Sequence, residues 1–247
     1  MSSVTALNDP ERDRPHRDRR GLAAPVKAPV KAPAIPAGEL VYGLVVAVDI
    51  ESFSRLDTLD QSLAQERLRD VLDVAAQKSG LDRDDWYRQP RGDGELAVLP
   101  TGTDVAWVVA RFTDQLADAL RGLRWGPDRR DPALRLRVSM HYGTLTAGHF
   151  GPVGDAPIVA CRLLDASMVR RALADEPRAD LVLVTSERLF HDVVRTRFHG
   201  LVPDRFRQVR MSLKGVSYTG YVCAGTPMVP GEADAVRPMW TQGRHAG

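Results

Sequence analysis

The segment that most constrains this chain is VYGLVVAVDI at 41–50, an almost unbroken run of β-branched and apolar residues that closes on a carboxylate. A run apolar at both odd and even positions reads as a buried strand, because an exposed strand alternates. Asp49 is therefore expected at the end of a buried strand, where the chain turns polar in ESFSRL.

The rest of the sequence supplies partners for that strand. Residues 60–78 place Leu63, Leu68, Leu72 and Ala75 at helical spacing. DWYRQP (85–90) and ELAVLP (95–100) read as short strands around Gly92-Asp93-Gly94, a hairpin signal. Residues 103–123 form an amphipathic helix, and LRLRVSMHYG (134–143) alternates like a half-buried strand. A helix over 157–174 opens with Pro157, LVLVTS (181–186) is a strand, and a short helix covers 187–194. FRQVRMSL (206–213) and VSYTGYVC (216–223) close the domain as a strand pair around Lys214-Gly215. The order β-α-β-β-α-β predicts an α+β domain with a ferredoxin-like, palm-like βαββαβ core and a mostly antiparallel sheet.

Three segments are expected: a disordered basic Pro-rich arm at 1–38, one folded domain at 39–224 and a flexible tail at 225–247. The arm has no aromatic residue and six prolines, too little apolar surface to fold. It holds seven basic and four acidic residues, while the whole chain of 247 residues carries a net charge of only +2. The positive excess therefore lies in the arm, and the near-neutral body argues against a nucleic-acid binder. The Arg-rich loop near Arg121, Arg124, Arg129 and Arg130 lacks aromatic interleaving and reads as solvated. Two cysteines, Cys161 and Cys223, are too few for a disulfide framework and are expected as buried free thiols. With no membrane-length apolar run and no signal core, the expected location is cytoplasmic.

Asp49 and Asp93 carry the chemical argument. In a ferredoxin-like unit the first strand neighbours the hairpin, so the two carboxylates converge. Taken singly, each reads as a cap or turn residue; together, beside a phosphate, they suit Mg²⁺ or Mn²⁺. The turn after Asp49 offers backbone N–H groups to phosphate. His141 reads as a packing histidine within its strand, and Glu95 as a surface residue. Glu51 reads equally as a solvated turn residue or as support for the metal site.

At these residues the chain resembles the class III nucleotidyl (adenylate/guanylate) cyclase catalytic domains. VVAVDIESFSRL resembles their opening strand, RQPRGDGELAVLP their Gly-Asp hairpin and LRLRVSMHYGTLTAGHFG their His-x-Gly strand. GDAPIVACRLLDAS and SLKGVSYTGYVC resemble the helix bearing their active-site arginine and their closing Lys-Gly strand. The five matches are collinear over about 41–223. The resemblance implies two Mg²⁺ or Mn²⁺ ions per active site, held by Asp49, Asp93 and the Ile50 carbonyl. It implies phosphate binding by the amides of Phe53 and Ser54, transition-state stabilisation by Arg162 and phosphate binding by Lys214. It also implies a homodimer with shared sites, the partner subunit supplying the last two groups, and a nucleoside triphosphate substrate. Four positions depart from the family pattern: Ile158 stands where an asparagine orients the ribose, and Gln89 and Gly151 stand at the base-selecting positions. Pro157 also replaces an aliphatic residue.

The expected function is therefore a nucleotidyl cyclase, a phosphorus–oxygen lyase forming a 3′,5′-cyclic nucleotide in signal transduction. A catalytically weak or inactive cyclase-like module that binds nucleotide or dimerises is the alternative. A palm-like synthase of linear or cyclic oligonucleotides is a weaker third reading. Gln89 donates and accepts, so the base stays open between purines and pyrimidines.

Overall fold

The computed structural model describes residues 35–124, 134–213 and 215–228. The expected arm through residue 34, Arg129 and Arg130 in the basic loop, Lys214 and the tail from 229 lie outside the described residues.

β1 (Val41–Ile50) is buried from Gly43 to Ile50, as its apolar run requires. It lies inside an eight-stranded sheet of order β2-β3-β1-β4-β6-β8-β7, with β5 paired to β4 off that path. The elements are α1 (Thr58–Lys78), β2 (Tyr87–Arg91), β3 (Gly94–Val98), α2 (Val105–Trp107), α3 (Thr113–Arg124) and β4 (Leu136–Gly148). They continue with β5 (Gly151–Val153), α4 (Asp155–Leu164), α5 (Ser167–Ala174), β6 (Leu181–Ser186), α6 (Glu187–Asp192), β7 (Arg207–Leu213) and β8 (Val216–Ala224). Every pairing is antiparallel except β4 with β6. The βαββαβ unit is the expected one, and the α+β, mostly antiparallel class is observed.

β1 separates two cores by its alternation. Val46, Val48 and Ile50 join α1 and α3 through Leu68, Leu72 and Leu116, with Phe112 just before α3. Val45 and Ala47 face the other way, onto Ala156, Ala160 and Leu164 of α4. A further cluster joins α4 and α5 to β6, β7 and β8. Helices thus cover both faces of the sheet.

Several boundaries differ from expectation. The helix expected over 157–174 is two: Ala166 is extended (φ −65, ψ 134) and buried. Residues 165–166 include no glycine or proline; the bend lets each helix pack on its own part of the sheet. β4 runs five residues past Gly143, because Thr146–Gly148 pair with the short β5. Between α2 and α3 the helix widens to a π turn at Val108–Phe112. Packed chain also extends past 224: Met228 is buried and bridges Leu201, and the Val202 N–H donates to the Pro227 carbonyl at 3.0 Å.

Glu95 is not the surface residue expected. Arg83, its side chain 4% exposed, donates to both Glu95 oxygens at 2.7 and 2.8 Å and to Asp73 at 2.7 Å. This ties β3 to α1, and burial pushes the Glu95 carboxyl up against the pull of Arg83. A buried guanidinium needs such partners, which sequence spacing alone does not reveal.

Of the described glycines, Gly94 beside the hairpin leaves the least room for a side chain. A Cβ at Gly94 would stand 1.9 Å from the Val48 carbonyl oxygen. Gly94→Ala should therefore push β3 off β1 and cost about 3 kcal/mol, a fall of roughly 10 °C in melting temperature by calorimetry. An unchanged melting temperature would show that the two strands are not in this contact.

Candidate active site

Alternation along β1 turns Asp49 to the same face as Val45 and Ala47, at the strand's end. There it stands opposite Arg137 of β4 in register. Arg137 grips it with two bonds, Nε to Oδ1 at 2.6 Å and Nη2 to Oδ2 at 2.7 Å. Asp49 is 6% exposed. Burial raises its carboxyl above the usual value of 3.8, Arg137 opposes this, and Asp93 and Asp165 add to the rise. Sequence reasoning missed Arg137. The available signal was an arginine in an alternating strand on the face shared with Ser139 and His141.

Asp93 sits exposed at the hairpin tip, and backbone bonds bring it to β1. The Ile50 N–H donates to the Asp93 carbonyl at 2.9 Å, and Asp49 pairs with Gly94 in register. From α1, Gln65 Nε2 donates to the Gly92 carbonyl at 2.6 Å. The structure therefore brings Asp49, Ile50 and Asp93 together, although the Ile50 side chain points into the core. Phe53 and Ser54 begin the turn that follows, a 3-10 turn over Phe53–Arg55. It is entered through Ser52 in the left-handed region at φ 58, and the first N–H groups of such a turn have no partner within it. Glu51 is not free in this turn: it pairs with Arg135 at 2.8 Å, and Arg135 also caps the Leu173, Glu176 and Ala179 carbonyls.

The resemblance would place a hard divalent cation here, and Asp49 would have to release Arg137 from its two oxygens to ligate it. The guanidinium of Arg137 already occupies Asp49 as a cation, and two further carboxylates raise the negative potential there. Two carboxylates and a carbonyl are hard oxygen donors; among the described residues no cluster of three His, Cys, Asp or Glu groups forms a ready-made cage.

The other expected residues line a separate cavity of about 810 Å³ between the β2–β3 hairpin, β5 and α4. Gln89, Ile158 and Arg162 all face it. Gln89 Nε2 donates to the Phe150 carbonyl at 3.0 Å. Its amide lies where a Cβ of Gly151 would stand, 2.6 Å from Oε1, and Gly151 has φ +124. The two positions that the resemblance makes base-selecting therefore touch. Ile158 is 48% exposed, and Phe150 at the rim is 97% exposed. Arg162 Nη1 donates to the Tyr218 hydroxyl of β8, with its guanidinium 5.4 Å above the Tyr218 ring. Asp49 and Asp93 do not line this cavity, but Asp165 does, and Asp165 also acts on Asp49.

His141 is buried, as expected of a packing histidine. Its Nδ1 meets Ser186 Oγ at 2.7 Å, and burial lowers its basicity. Cys223 is buried, and its thiol is pushed up to about 11 by burial. Cys161, expected buried, is half-exposed on the cavity wall and accepts from Arg91 Nη1 at 3.1 Å.

No family model and no curated protein sequence matches the chain. Solved structures do. A crystallised guanylyl cyclase matches at 14% identity and TM-score 0.55, over 77% of this chain and 95% of that one. The guanylate cyclase domain from Catenaria anguillulae, in complex with GTP, matches at 18% identity and TM-score 0.52, over 76% of this chain and 99% of that one. A bacterial light-regulated adenylyl cyclase matches at 17% identity and TM-score 0.52, over 77% of this chain and 54% of that one. The chain has the class III nucleotidyl cyclase catalytic fold. Among the described residues no helix is long and apolar enough to cross a membrane.

A divalent cation held by Asp49, as the resemblance implies, would bind in a pH-dependent way. A carboxyl raised above 3.8 keeps its proton to higher pH than an ordinary aspartate. Mn²⁺ affinity, read by calorimetric titration, should therefore begin to fall on acidification before a free carboxylate would protonate. Arg137→Gln leaves Asp49 buried without its cation and should cost about 3 kcal/mol of folding stability by denaturant titration. A variant as stable as the parent would mean that the pair contributes nothing to the fold.

Proposed function

We propose that the protein is a nucleotidyl cyclase, converting a nucleoside triphosphate to a 3′,5′-cyclic nucleotide and pyrophosphate in a homodimer with shared sites. The observation that carries this reading is the register bringing Asp49 beside the hairpin that presents Asp93, on a cyclase fold. In the reaction the ribose 3′-hydroxyl loses its proton to solvent water, its oxygen bonds to the α-phosphorus, the bond from that phosphorus to the oxygen bridging to the β-phosphate breaks, and pyrophosphate leaves. Asp49, Asp93 and the Ile50 carbonyl would hold two Mg²⁺ or Mn²⁺ ions, which supply Lewis-acid stabilisation of the 3′-oxygen and the leaving pyrophosphate.

The chain's own groups do the rest. The amides of Phe53 and Ser54 hold phosphate, and Lys214 binds it as the resemblance implies. Arg162 meets charge growing on the α-phosphoryl oxygens. Its contact with Tyr218 holds the guanidinium before substrate arrives, lowering the ordering cost. Asp49 and Asp93 lie outside the cavity that Arg162 lines, an arrangement that supports a site completed by the partner subunit. Gln89 faces the base, its Nε2 already engaged by Phe150.

A second reading, a cyclase-like module that binds nucleotide without efficient turnover, is favoured by one observation. The exposed Ile158 offers the ribose no hydrogen bond.

Incubation with each of the four nucleoside triphosphates and Mn²⁺, products read by mass, should yield a cyclic nucleotide from at least one. Binding without product from any would select the second reading. Asp93→Asn and Arg162→Ala should each be inactive alone. Mixed in equal amounts they should recover about a quarter of the parent rate, since half the dimers form across variants and each holds one intact site. Asp93 suits this test because it is exposed, whereas Asp49 is buried against Arg137. No recovery would remove the shared site.

A further inference from the structure

Two arginines of the cavity have no role in the reading above. Arg91 of β2 and Arg170 of α5 line the same 810 Å³ cavity as Gln89 and Arg162. We infer that Arg91 and Arg170 join Arg162 in a cradle of three guanidinium groups for the polyphosphate of the bound nucleotide, an inference that rests on the nucleotide reading.

The cavity is chemically graded along its length. Gln89 and Arg91 are two residues apart on β2, so they share a face, with Arg91 nearer the hairpin tip. Ile158, Cys161 and Asp165 succeed one another by roughly a turn along α4 and its C-terminal cap. Along β2 and α4 the lining thus passes from Gln89 and Ile158 to Arg91 and Arg162, and Arg170 and Asp165 line the same cavity. A nucleoside triphosphate has the matching gradient, a flat base at one end and several negative charges at the other.

The state of the two arginines supports this role. The structural arginines of this fold are bound to carboxylates: Arg83 to Glu95, Arg135 to Glu51 and Arg137 to Asp49. Neither Arg91 nor Arg170 has an ion-pair partner among the described residues. Arg91 gives one N–H to the Cys161 sulfur, a weak acceptor, and keeps its other donors. Planar guanidinium groups with free donors, set around a cleft, suit bidentate contacts to phosphate oxygens.

The test uses the full chain and two probes, inorganic tripolyphosphate and a nucleoside lacking phosphate, each titrated by calorimetry. Arg91→Gln and Arg170→Gln should each weaken tripolyphosphate binding about tenfold. Arg91→Lys, which keeps the charge but not the fork, should lose less than Arg91→Gln. Nucleoside affinity and melting temperature should stay near the parent values. If the parent binds tripolyphosphate and one variant binds it equally well, that arginine does not belong to the cradle. If melting temperature or nucleoside binding falls in step with tripolyphosphate binding, the arginine is structural and the inference fails. If the parent binds neither tripolyphosphate nor any nucleoside triphosphate, the nucleotide reading itself fails and takes this inference with it.

Discussion

The structure depends on how a charge is kept at the end of a buried strand. β1 is covered on both faces, yet its penultimate residue is an aspartate. Burial disfavours the carboxylate, and the two bonds from Arg137 oppose that penalty without cancelling it, since the carboxyl remains raised. On the proposed reading, a metal ion would take over from Arg137 the neutralising of this carboxylate. A group fully satisfied by its own arginine would bind no ion, whereas one left bare would tend to protonate. The same register that sets Arg137 opposite Asp49 sets Gly94 on the other side, so the hairpin follows from how β1 is paired.

Much of this was legible in the sequence where a pattern is local. The apolar runs at 41–50 and 181–186 are β1 and β6 to the residue. The Gly-Asp-Gly hairpin is present, although the glycine that matters is Gly94, for its approach to Val48 rather than for a turn angle. What was hidden is set by tertiary packing. The bend between α4 and α5 has no helix breaker, and β5 is too short to show a period. Arg137, Arg83 and Arg135 look alike in sequence, and only their partners tell them apart. Glu95 was misread for the same reason, since its burial depends on an arginine twelve positions away.

The site residues divide between two places. Asp49, Ile50 and Asp93 gather at the sheet end, and Gln89, Ile158 and Arg162 gather in the cavity. Asp165 is the link: it lines the cavity and is felt electrostatically by Asp49.

The contact between Gln89 and Gly151 has a consequence for how this fold could change its ligand. The glutamine amide occupies the volume that any side chain at 151 would need, and the glycine's backbone angle disfavours other residues there. The two positions cannot drift independently. A replacement at 151 must first evict the amide from its resting place, so a new preference at this end of the cleft would require paired substitutions, with the single steps between them penalised.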